Sequence, residues 1–273
     1  MEPALSVAIL WLLFGGLHIG LASGRIRAAL VRQMGEGGFT ALFSVLAAGT
    51  FALLVSYYAA HRLEGVSGPA FGEVTVVRWT LVTIIVVGVV LTAGSLSAYP
   101  RSPMAIFATT VASPRGIERI TRHPFFMGLT LVALAHVLLS TRLVGSVFTM
   151  GFVILATVGA WHQDRKLLAL RGRAYADYVA STSAVPFGAI VAGRQRLVWR
   201  ELPVGALGAG VAVAFLLRAV HADIFVHGGL WVITATLTGA ALLTLEASRH
   251  AARQKRRLAG EDARPEHSLR ASG

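Results

Sequence analysis

Two histidines stand where water should not reach, His18 in GGLHIGLAS and His136 in VALAHVLLS, each inside an apolar segment. Ionisable groups in such a setting usually face the protein interior and mark a ligand or a conduction path. Neutral imidazole is a usual axial ligand of buried haem iron. The pair therefore points to a non-covalent haem b gripped by His18 and His136, with the metal held by the same two residues. The plainer reading is a neutral imidazole that donates to a backbone carbonyl of a neighbouring helix. The two residues lie toward opposite ends of their segments, so helix tilt and an oblique haem plane have to absorb about 10 Å of depth. His18 with His123 is the alternative pair.

His123 belongs to the run ITRHPFFMGLTLVALAHVLL, which also contains His136. Thirteen helical residues separate the two by about 140° around the axis and about 20 Å along it, so they cannot grip one small ligand together. Pro124 suits the first turn of a helix, where a missing N–H costs nothing. Arg122 and His123 then sit beside exposed helix N–H groups, a natural place for an anion or a cofactor propionate. A merely basic flank reads the same way. Arg165 is a further candidate anchor, and Asp164 is expected to pair with a basic residue of the same layer. Of the other histidines, His61, His162, His221 and His227 fall at segment ends, and His250 and His267 lie in the C-terminal tail.

These residues need elements to position them. The 273-residue chain is 55% hydrophobic and 14% charged, against roughly a quarter charged in soluble domains. Seven apolar segments emerge, at about 4–22, 39–58, 77–97, 125–141, 144–161, 203–220 and 226–246, several of them long enough to cross a bilayer as helices. The fold class expected is all-α, a polytopic membrane protein of about seven spans. Twenty-one of the 25 Lys and Arg residues fall in alternate loops and the tail, leaving only Arg62, Arg78, Arg142 and Arg218 opposite. By the positive-inside rule the N-terminus is outside, the C-terminus is cytoplasmic and the membrane is the cell's inner one. Trp79, Trp161, Trp199 and Trp231 fall near span ends, as an aromatic belt requires.

Residues 163–180, QDRKLLALRGRAYADYVA, read as an amphipathic cytoplasmic helix at the interface, with Gly172 as a break. Organisation follows: a membrane domain over 1–200 with five spans, two further spans over 201–247, and a basic, disordered tail over 248–273. Glu2 and an over-long apolar run mark the N-terminus as a retained first helix and not a cleaved leader. With no cysteine in the chain, disulfides, thiolate metal sites and covalent c-type haem are excluded. The net charge of +12 is spread over loops, unlike the single basic face of a nucleic-acid binder, so no nucleic-acid partner is expected. In-span glycines allow helices to approach closely.

The motifs HIGLAS, AAHRLEG, ITRHP with AHVLL, GAWHQDRKL and TSAVPFGAIVAGRQ, taken in order, resemble the NnrU-type membrane proteins and, more closely, the 15-cis-zeta-carotene isomerases. The resemblance covers about residues 10–200. It implies a membrane-embedded haem b isomerase acting on a central cis double bond of a polyene, with His18 and His136 as axial ligands. It also implies an apolar C40 substrate entering from lipid and a redox-gated iron, which calls for an electron donor as a further partner. One departure is Ala133, where the plant-type sequences carry a cysteine. Two alternatives stay open. One is a non-catalytic NnrU-type protein associated with nitrogen-oxide respiration. The other is a looser likeness to isoprenylcysteine methyltransferases, in which Arg122-His123-Pro124, Asp164 and Gly172 to Tyr178 would hold S-adenosylmethionine.

Overall fold

The computed structural model describes residues 2–105 and 110–262. Among these the chain is helical, with a single isolated β-bridge between Ser67 and Arg142. Its helices are α1 (Pro3–Ala22), α2 (Gly24–His61), α3 (Thr75–Ala98), α4 (Pro124–Leu139), α5 (Leu143–Ser181), α6 (Gly188–Val191), α7 (Val204–Ala219) and α8 (Leu230–Asp262). Every apolar segment read from the sequence becomes a helix. Helices α1, α2, α3 and α5 are long and apolar enough to cross a membrane, whereas α4, α7 and the apolar part of α8 are shorter.

Each long helix is started or broken for a local reason. Glu2 caps α1 by accepting from the Ala4 N–H at 2.9 Å, and Pro3 opens it. Within α2, Gly35 takes φ 74°, which separates a short basic stretch from the apolar span. Gly172 does the same within α5 at φ 51°, ψ −127°, the break expected there. That region of backbone space is open to glycine and closed to side-chain-bearing residues. Helix α8 continues through Asp262, into the segment expected to be a disordered tail, because its Ala, Arg, Gln, Lys and Leu residues are strong helix formers. The rest of that tail lies outside the described residues.

Packing divides into two groups that share α5. Helix α1 lies on α2 and α5; α4 lies on α3 and α5; α7 lies on α3, and α8 only lightly on α2. The first group encloses a core of Val7, Trp11, Phe14, Leu54, Val55 and Phe148. Trp11 donates its indole N–H to the Phe148 carbonyl at 3.0 Å, and Gly151 leaves the space its ring fills. The second group is held by backbone contact. A Cβ added at Gly88 would stand 2.7 Å from the Gly128 carbonyl oxygen, and one at Gly128 would stand 2.6 Å from that of Gly88. Gly210 similarly admits Val90 and Ala93, so α7 closes on α3. In apolar surroundings close packing of small residues replaces the hydrophobic drive.

The two ends of the bundle differ. At one end, the α2–α3 loop pairs with the α4–α5 turn through Gly68 N–H to Thr141 O at 2.9 Å and Leu143 N–H to Val66 O at 2.9 Å. The other, basic end is thicker. There residues 182–203 fold back under the start of α4, and Glu201 accepts from Arg119 Nε at 2.8 Å and from the Gly116 N–H at 2.9 Å.

Candidate functional site

The basic end holds the densest polar cluster among the described residues. His123 occupies the N-cap position of α4 and Pro124 its first turn, as the Arg-His-Pro run requires. The returning segment fixes this backbone from below. Arg122 N–H donates to Ser183 O at 2.9 Å, Thr121 Oγ1 to Ala184 O at 2.6 Å and Phe187 N–H to Ile120 O at 2.8 Å. Two stretches singled out for their motifs, ITRHP and TSAVPFGAIVAGRQ, are thus one structural unit.

Asp164 is the hub of the cluster. It lies past Trp161, where α5 turns from apolar to polar. Arg122 donates to its Oδ2 from Nη2 at 2.7 Å and from Nε at 3.0 Å. The His123 ring donates from Nε2 to Oδ1 at 2.8 Å, and Tyr175 donates its hydroxyl to the same oxygen at 2.6 Å. Burial pushes the Asp164 carboxyl upward, but the His123 and Arg122 hydrogen bonds outweigh it and hold the group well below the usual carboxylate range. Tyr175 reaches Asp164 because Gly172 breaks the helix between them and turns the chain. Tyr175 and Tyr178 pack with Leu167 against Met104, Val111 and Val179. The amphipathic segment therefore buries part of its apolar face in protein.

Beside the hub, burial raises the Glu118 carboxyl above its ordinary range, with Ser102 acting against it. Glu118 Oε1, the Tyr178 hydroxyl and His123 Nδ1 are buried there without a hydrogen-bond partner among the described residues. Arg122 and His123 are together, as the anchor reading expects, but Asp164 already neutralises Arg122, so an incoming propionate would compete with it. Arg165 points elsewhere, with its guanidinium 4.7 Å from the Trp161 ring centroid. Asp164, Tyr175 and Tyr178 also converge on Arg122-His123-Pro124, but both Asp164 oxygens are spent on neighbours.

The two in-span histidines are placed differently. His18 lies between Phe14 and Phe43, with ring centroids 5.4 and 5.1 Å away, and its Nδ1 is buried without a hydrogen-bond partner among the described residues. His136 donates Nδ1–H to Val132 O of its own helix at 2.7 Å, which leaves Nε2 as the free lone pair. That is the second-shell arrangement usual for a metal-ligating histidine. Each imidazole would on this ground have a nitrogen with which to hold a haem iron. Helices α1 and α4, however, share no extensive contact among the described residues, and α5 packs on both. The structure brings His136 to a different imidazole, that of His221 just beyond α7, at a centroid distance of 5.9 Å with the rings 12° from parallel. No sequence signal marks this neighbour, because His221 follows the end of α7 and has no periodic relation to α4.

Of the remaining histidines, His61 meets Glu64 at 2.9 Å across an exposed turn. No group of three or more His, Asp or Glu residues able to hold a bare metal ion occurs among the described residues. An apolar cleft of about 210 Å³ opens between α3, α4 and the returning segment, lined by residues that include Val86, Val90, Ile117, Leu131 and Phe187.

The profile of the NnrU protein family matches residues 6–228, so the match runs past the 1–200 domain and through α7. The 15-cis-zeta-carotene isomerase of Zea mays chloroplasts is 29% identical over 199 residues, covering 69% of this chain and 51% of that protein. The Arabidopsis thaliana chloroplast enzyme of the same name is 28% identical over 206 residues, covering 72% and 53%. The chain thus spans about half the length of the curated relatives it matches. No solved structure matches it. The chain belongs to the NnrU family.

Proposed function

We propose that this NnrU-family membrane protein is an isomerase that turns a central cis double bond of a zeta-carotene-like polyene to trans, with a non-covalent haem b as its cofactor. The observation that carries the reading is the agreement between the relatives' activity and His136, a buried imidazole with one nitrogen fixed by Val132 O and the other free. His136 would hold the iron, with His18 as the second imidazole the sequence offers. We further read seven spans with the basic end cytoplasmic and the inner membrane as the site, on the strength of the Lys and Arg distribution.

When bound, haem b supplies a redox-switchable iron able to lend electron density to a conjugated chain. What the protein's own residues do is positional. Val132 O sets the tautomer and ring plane of His136. Phe14 and Phe43 keep water from His18. The cleft beside Phe187 offers apolar space for one end of a polyene. Rotation about a double bond changes neither composition nor net oxidation state, so no acid or base is required at the reacting carbons.

The test is expression in cells that accumulate 15-cis-zeta-carotene in the dark, following the isomers by chromatography beside absorption spectra of the purified protein. Conversion together with a Soret band is expected. A Soret band without conversion would favour a non-catalytic NnrU-type role. Conversion by a protein that never holds haem would remove the cofactor from the reading.

A further inference from the structure

We infer that the apolar cleft between α3, α4 and the returning segment seats the bare hydrocarbon end of the polyene, with Phe187 as the residue that sets its selectivity. This is a deepening that rests on the polyene reading above. The cleft runs from a half-exposed rim at Val87 and Phe187 to a buried base at Leu91 and Ile117. Gly94 makes that base possible, because a Cβ there would stand 2.5 Å from Ile117 Cδ1 and 3.0 Å from Leu207 Cδ2. At about 210 Å³ the space is smaller than the roughly 300–1,000 Å³ of a pocket that encloses a whole ligand, so it holds one end of a long chain. Val87 belongs to α3, a helix long and apolar enough to cross a membrane, which puts the rim at the hydrocarbon layer.

Charge decides the occupant. Every lining side chain is Val, Leu, Ile, Pro or Phe, and among the described residues no polar atom faces the space. A hydroxyl carried into it would give up water and gain no partner. The seat therefore takes an unsubstituted chain end and rejects a hydroxylated one. Phe187 adds a second, independent sign. It is one of two residues other than glycine at positive φ among the described residues, with φ 62°. That region is costly for a bulky side chain, and such strain gathers at ligand clamps where the surrounding structure holds it. Here the Phe187 N–H donates to Ile120 O at 2.8 Å, and its carbonyl accepts from the Val191 N–H at 2.9 Å. Ile120 also lines the cleft, so the bond that fixes the strained residue joins two walls of the seat.

The experiment incubates the full-length protein in detergent with 15-cis-zeta-carotene or with its 1-hydroxy derivative, repurifies it and quantifies the retained polyene by chromatography. Wild type is compared with Phe187→Gly and with Leu131→Trp, which fills the cleft from α4. Wild type should retain the hydrocarbon at least about tenfold better than the hydroxylated chain. Leu131→Trp should lose that retention. Phe187→Gly should lose the preference yet keep or raise the melting temperature, because glycine adopts positive φ freely. Equal retention of the two polyenes by wild type would overturn the inference. So would a Leu131→Trp variant that sheds copurified phospholipid but keeps its polyene, since the cleft would then hold a lipid chain. A fall of melting temperature and retention together in Phe187→Gly would make Phe187 structural and overturn its assignment. Isomerisation unchanged in both variants would remove the seat and leave the isomerase reading. Selective retention by a wild type that never isomerises would remove that reading and leave the seat.

Discussion

The basic end and the interior of this protein handle polar groups in opposite ways. Around Asp164, a guanidinium, an imidazole and a phenol each come within 2.6–3.0 Å of the one carboxylate. Their charges are balanced from inside the protein. Within the spans, and among the described residues, His136 has a single hydrogen-bond partner, a backbone carbonyl, and His18 Nδ1 has none. A buried cluster whose charges are paired within the protein mainly specifies structure, whereas an isolated imidazole with a free nitrogen is fitted to take something up. Both regions contain a histidine of the same helix, His123 and His136, so the contrast comes from neighbours and not from residue type.

The largest effect should come from breaking the balanced cluster. Asp164→Ala leaves Arg122 and His123 facing an uncompensated site and should cost about 3–5 kcal/mol, the usual penalty for removing one partner of a buried ion pair. Thermal melting in detergent checks this, and an unchanged melting temperature would mean that the cluster is ornamental. His136→Ala should do the reverse. Its single hydrogen bond is made within its own helix, so stability should change by only about 1 kcal/mol, while any haem spectrum disappears. A variant that loses stability and spectrum together would erase the distinction between the two regions.

Acid should sharpen it. Asp164 is held below its unfolded value, so its stabilising contribution is complete above the ordinary Asp value of about 3.9. That contribution declines as pH falls below it toward the folded value. The wild-type melting temperature should therefore fall more steeply below about pH 4 than that of Asp164→Asn. The smallest effect concerns Arg165, which only covers the Trp161 ring. Arg165→Ala should cost about 0.5–1 kcal/mol, as for an exposed cation–π contact, and leave a haem spectrum untouched. A lost spectrum would restore Arg165 as an anchor.

Hydropathy made the helices legible, and charge alternation made the polar end legible as a layer. The Arg-His-Pro start of α4 and the break at Gly172 could also be read, because proline and glycine act through local backbone geometry. Lateral neighbours could not. Which helices touch depends on shallow notches such as Gly88 against Gly128 and Gly210 against Val90, and in an apolar segment these look like any other small residue. That is why His221 opposite His136 left no trace in the sequence. Asp164 was readable as half of an ion pair, but not as the acceptor of the Tyr175 hydroxyl. The turn that delivers Tyr175 reverses the helical order of the residues around it.

That turn also sets a length. Unbroken, the 39 residues of α5 would form a rod of about 58 Å at 1.5 Å per residue, nearly twice the hydrocarbon thickness of a bilayer. Gly172 converts the surplus into a hook whose tip, Tyr175, catches a carboxylate eleven residues back on its own helix. The protein thereby fixes how far the helix reaches by a knot tied in its own chain. A side chain at position 172, by straightening the rod, would lengthen the helix at the same moment as it unfastened the cluster.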